Sequence, residues 1–197
     1  MLKEHEQSQQ QVEPTASTLG EAQPENTVLF SFLMLVNALE FWVTCLHEAG
    51  HAVQGTRDGG ILESACVFQD AQTNGERGFV LWDDKRGSLR SYVAGYLAEK
   101  RWGLGWTPME QPVCEIRGDF KTFRSMLFEN MSTRNGALPS RRLRKIALGS
   151  WREFESELSK LWDRDQSYRR QIRSVACVLS VRGKLTGDEV RTVMAKA

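Results

Sequence analysis

Histidine is scarce in this chain of 197 residues, which has only His5, His47 and His51. Cysteine is nearly as sparse: Cys45, Cys66, Cys114 and Cys177 are widely scattered and form no CxxC pair. That spacing excludes the dense disulfide framework of a small secreted domain and favours a reduced, cytoplasmic chain. Long apolar runs are missing as well. The most membrane-like stretch, Val28 to Leu39, ends at Glu40 after about twelve residues, short of the roughly 20 that cross a bilayer. No transmembrane span is expected, and the stretch reads as part of a buried helix. The first residues run into glutamines rather than an apolar segment, so no signal peptide is expected. No GxxxxGK[ST] loop is present, which excludes ATP hydrolysis by that route, and no internal repeat occurs.

Against that scarcity, two of the three histidines fall in one short run, His47-Glu48-Ala49-Gly50-His51. On a helix of 3.6 residues per turn, His47 and His51 lie one above the other and can bind one Zn²⁺. Glu48 points about 100° away from His47, where its carboxylate misses the metal but reaches a water that the metal holds. The apolar run Val28 to Leu46 would bury this helix, and burying two histidines and a glutamate without partners is costly. Cys45 lies two residues before His47, off the ligand face, and reads as core.

Residues 1 to 26 are rich in Gln, Glu, Ser, Thr and Pro, with too little apolar surface to offset ordering, and read as a disordered leader. Residues 27–197 then suit a single domain, mainly α with a small β-sheet or hairpin. One long or two abutting helices run to about Gly55 and stop at the Arg57-Asp58-Gly59-Gly60 turn. Glu63 to Gln69 and Arg77 to Trp82 have strand character around a turn-rich segment. Leu89, Tyr92, Val93, Tyr96 and Leu97 form a helical stripe within Arg86 to Trp102, and Gly95 inside it implies close approach of a neighbouring helix. A loop over Gly103 to Pro112 precedes helices starting near Gly118, over Ser140 to Arg164 and over Tyr168 to Val181. Thr186 and Glu189 match a capping box for a last short helix.

Net charge is +1 but unevenly placed, at +9 from Arg117 onward and −8 before it. The densest basic cluster is Arg141, Arg142, Arg144 and Lys145. Glu153, Glu155 and Glu157 follow closely, so the cluster reads as a solvated helix face, and nucleic acid is not expected as a partner.

A catalytic zinc takes three protein ligands and leaves a position for water. With no further histidine in the ordered region, a carboxylate must complete the set, and Glu99, Glu115 and Asp119 are placed to do so. An aspartate after Gly118 could equally be a helix cap.

The run His47 to Val53 resembles the peptidase domain of the FtsH family of zinc metalloproteases. Ala94-Gly95-Tyr96-Leu97-Ala98-Glu99 is similar to that family's Gly-Gly-Arg-x-Ala-Glu segment, with Tyr96 and Leu97 replacing the second glycine and the arginine. Gly118-Asp119-Phe120 resembles the step that supplies the family's third zinc ligand, and Gly183 to Val190 its closing Leu-Thr-Gly-x-Glu-Val pattern. The four matches fall in the family's order. The resemblance implies an FtsH-peptidase-like helical fold, His47, His51 and Asp119 as zinc ligands, and Glu48 as general base. It also implies an edge strand, Arg77 to Trp82, that holds an extended substrate. The family's ATPase domain and membrane anchor have no counterpart here.

The expected function is therefore ATP-independent hydrolysis of peptides or flexible protein segments by a zinc metalloendopeptidase, with room for homo-oligomer assembly. The alternative is a catalytically silent, metal-stabilised regulatory or protein-binding module on the same scaffold.

Overall fold

A computed structural model of the chain describes residues 24–70, 75–83, 87–102, 118–135 and 140–197. Of the leader expected over residues 1 to 26, residues 1–23 lie outside these residues and residues 24–26 are helical rather than disordered; the loop over Gly103 to Pro112, Cys114 and Glu115 also lie outside. The chain divides into two compact units, Met1–Leu35 and Val36–Ala197. Of the first, the described part is the opening of helix α1, Pro24–Arg57. Proline suits the first turn, where its missing N–H would have had no partner.

The burial expected for the apolar run does not extend to Met34 and Leu35, which are 58% and 68% exposed. Residues 34–40 are exposed or half-buried throughout. Full burial starts only at Cys45 and Leu46, so apolar content in this run exceeds what the core takes up. Among the described residues, no helix is long and apolar enough to cross a membrane.

In the second unit the helix stops where the turn residues place it. Gly60 N–H reaches Gly55 O and Gly59 N–H reaches Thr56 O, with Gly59 at φ +87°, the left-handed cap that a glycine adopts without strain. Two strands follow, β1 Leu62–Asp70 and β2 Gly75–Trp82, paired antiparallel as the hairpin pattern implies. Then come α2 Leu89–Trp102, α3 Gly118–Asn135, α4 Ser140–Arg164 and α5 Gln166–Arg182. A three-residue strand β3, Lys184–Thr186, pairs antiparallel with β1, and α6, Gly187–Lys196, closes the fold behind the Thr186–Glu189 capping box. The architecture is mainly helical, with a three-stranded sheet in the order β2-β1-β3. β2 is thus an edge strand.

Two apolar clusters fill the interior. One joins the second half of α1 (Cys45, Leu46, Ala49, Val53) to the inner sheet face and to α5 and α6 through Val67, Ile172, Leu185 and Val190. The other packs α2 on α3 and α4 through Val93, Leu97, Phe120, Phe123 and Trp151. Cys45 lies in the first cluster, fully buried. Burial of aromatic and aliphatic side chains at roughly 1.5–3 kcal/mol each ties these helices together.

The acidic residues of α4 serve a different partner from the one their sequence position implies. Glu155 binds Lys100 at 2.8 Å and Glu157 faces Arg90 at 3.7 Å, so both pair with bases of α2.

Candidate metal centre

The α1 segment carrying the motif crosses α2 at two glycines. A Cβ on Gly50 would stand 2.6 Å from Ala94 O, and one on Gly95 would stand 2.6 Å from His51 Nε2. The missing side chains let the backbones approach until the His51 ring lies against α2. The neighbour that Gly95 implied is therefore α1, and the group it makes room for is an imidazole. β2 closes the other side. A Cβ on Gly78 would stand 2.6 Å from Glu48 Oε1, so only glycine leaves that carboxylate its place.

Each histidine is held by its outer nitrogen. His51 Nδ1 donates to Ser91 O at 2.7 Å, since a carbonyl can only accept. His47 Nδ1 faces Glu99 Oε2 at 3.1 Å and donates to it in the same way. With both protons on Nδ1, both Nε2 lone pairs point inward, and these atoms are 2.9 Å apart. Asp119, in the first turn of α3, adds an oxygen 2.9 Å from His47 Nε2 and another 3.5 Å from His51 Nε2. Donor atoms bound tetrahedrally to zinc at about 2.0–2.1 Å lie about 3.3 Å from one another. The observed separations bracket that value.

Among the described residues His47, His51 and Asp119 form the one cluster of three side chains able to hold a metal ion. In the metal-free chain a proton on His47 Nε2 bridges to Asp119, and a metal ion would take that proton's place among the three donors. The donor set of two imidazoles and a carboxylate suits zinc.

The electrostatics agree. Burial opposes charging His47, yet the Asp119 and Glu99 carboxylates outweigh it and raise the metal-free imidazole to about 10. Asp119 is also penalised by burial, but the two histidines hold its carboxyl well below the usual range. Burial pushes Glu48 up, partly opposed by the histidines. Glu48 is only 5% exposed and shares with His51, Asp119, Gly78, Val80 and Tyr92 the lining of a cavity of about 220 Å³. The carboxylate therefore faces the space a reacting molecule would enter, within reach of the ligand cluster.

Of the three carboxylates considered for the third ligand position, Asp119 reaches the inward nitrogens. Glu99 lies on the outer nitrogen of His47, where it orients the ring and raises its basicity. Ser91 and Gly78 carried no sequence signal, because one acts through its backbone and the other by lacking a side chain. No model of a known protein family matches the chain, and no curated protein matches it.

Proposed function

We propose that this chain is a zinc-dependent metallopeptidase of the FtsH-like type, acting on peptides or flexible protein segments without ATP. The observation that carries this reading is the convergence of two Nε2 lone pairs and the Asp119 carboxylate beside a buried, cavity-facing Glu48. His47, His51 and Asp119 would hold the ion. Zinc in such a site supplies a Lewis acid that activates water near neutral pH and polarises a carbonyl.

Glu48 supplies the proton chemistry. Its raised pKa makes it a stronger base than an exposed carboxylate, so it takes a proton from the attacking water and returns it to the departing amine nitrogen. Glu99 and the Ser91 carbonyl each hold the Nδ1 proton of one imidazole, which fixes both rings with Nε2 turned toward the site. β2 lies at the edge of the sheet with Gly78 beside Glu48, so an extended segment paired along its outer edge would bring a peptide bond to the carboxylate.

The FtsH-like assignment draws support from the order of the four motifs and from the positions of Asp119 and Glu99 around His47. A base placed in the cavity is superfluous in a silent, metal-stabilised module, which favours turnover over that alternative.

The test uses purified protein. About one zinc per chain is expected, with cleavage of an unfolded polypeptide that a chelator abolishes and added zinc restores. A zinc-loaded protein that leaves unfolded polypeptides intact contradicts peptidase activity.

A further inference from the structure

We propose that Ser88, clamped by Asp58, is the positioning residue for the metal ligand His51. The proposal deepens the metal-centre reading above and rests on it. The proton on His51 Nδ1 is fixed by a backbone carbonyl, Ser91 O at 2.7 Å, and a carbonyl is only as well placed as the turn that carries it.

That turn is the first of α2, and it is built by Ser88. The Ser91 N–H is shared between the Ser88 hydroxyl and Ser88 O, each at 3.0 Å, so the hydroxyl helps cap the helix one residue before Leu89. The Ser91 hydroxyl donates back to Ser88 O at 2.7 Å, and Ser91 itself is 1% exposed. Ser88 also donates its hydroxyl proton to Asp58 Oδ2 at 2.5 Å. Asp58 Oδ1 accepts from Gln54 Nε2 at 2.8 Å, and Gln54, 2% exposed, lies one turn beyond His51 on α1.

The chain of bonds therefore closes a ring. It leaves α1 at Gln54, crosses through Asp58 and Ser88 to the start of α2, and returns to α1 at His51. Ser88 Oγ uses both of its functions, donating to Asp58 and accepting from the Ser91 N–H that it shares with Ser88 O. Two helices that each carry part of the metal site are pinned at the point where the second orients a ligand of the first. Groups that orient a ligating imidazole commonly contribute about ten- to a hundredfold in metal affinity. The clamp is partly solvent-facing, so the lower end of that range is expected.

The test measures zinc affinity by chelator competition and the visible spectrum of the cobalt-substituted full chain. Ser88→Ala should weaken zinc binding about tenfold and alter the cobalt spectrum. Ser88→Thr, which keeps the hydroxyl, should restore both. Asp58→Ala should weaken binding by less, while Asp58→Asn, which keeps an acceptor for Ser88 but loses the one for Gln54, should fall between Asp58→Ala and the wild type. Thr186→Ala removes a comparable helix cap at α6 and serves as the control, expected to lower thermal stability with affinity and spectrum unchanged. If Ser88→Ala behaves like Thr186→Ala, losing stability but no affinity, the proposal is overturned. All these readouts concern metal binding, so a protein that binds zinc but cleaves nothing would contradict the peptidase reading and leave this test intact.

Discussion

Protons and a metal ion compete for the same electron pairs at His47. In the metal-free protein its imidazole is raised to about 10, so it carries a proton at neutral pH that zinc must displace. Zinc binding at pH 8 should therefore release about one proton per ion, seen by calorimetry in buffers of different ionisation enthalpy. Binding with no proton released would contradict the described hydrogen bonds. Glu48 sets a second pH dependence. Its pKa is raised by burial, and a general base works only when ionised, so the rate should fall on the acid side at a pH above the ordinary carboxylate range. An acid limb at or below pH 4 would contradict that role. At this scale His47, Glu48 and His51 were legible from spacing alone, because a helix fixes which side chains share a face. Asp119 was not: it lies 68 residues beyond His51, a separation that periodicity cannot bridge, and only the family resemblance singled it out.

Where elements meet, glycines decide the geometry. Adding a methyl at Gly95 forces α2 away from the His51 ring, whereas adding one at Gly78 forces β2 against Glu48. Gly95→Ala should thus cost about 1–3 kcal/mol of stability and lower zinc affinity. Gly78→Ala should keep zinc bound and lower kcat about a hundredfold, since it displaces the base alone. Zinc titration beside kinetics separates the two, and identical behaviour of both variants would sink this assignment. The helices α2, α4 and α5 were readable because each carries a clear apolar period, and the hairpin because its two strands flank a turn-rich segment. β3 was not, since its alternation around one buried side chain, Leu185, spans only three residues and is too short to detect. The pairing of α4 acids with α2 bases also escaped the sequence, because Glu155 and Lys100 become neighbours only once the helices pack.

Across the whole molecule, the metal site joins three helices: α1 supplies two ligands, α3 the third, and α2 the groups that orient the histidines. An ion bound only by the folded chain stabilises it by about 2.7 kcal/mol at a free concentration one hundred times its Kd. Zinc should therefore raise Tm, and His51→Ala should remove most of that increase. A Tm unaffected by zinc would contradict a site assembled by folding. The most direct measurement compares cleavage of an unfolded polypeptide by zinc-loaded wild type and Glu48→Gln, with zinc content determined on the same samples. The expected result is equal zinc and a rate lower by about 10²–10⁴ in Glu48→Gln. Equal zinc with an unchanged rate would contradict a hydrolase in which Glu48 moves the proton.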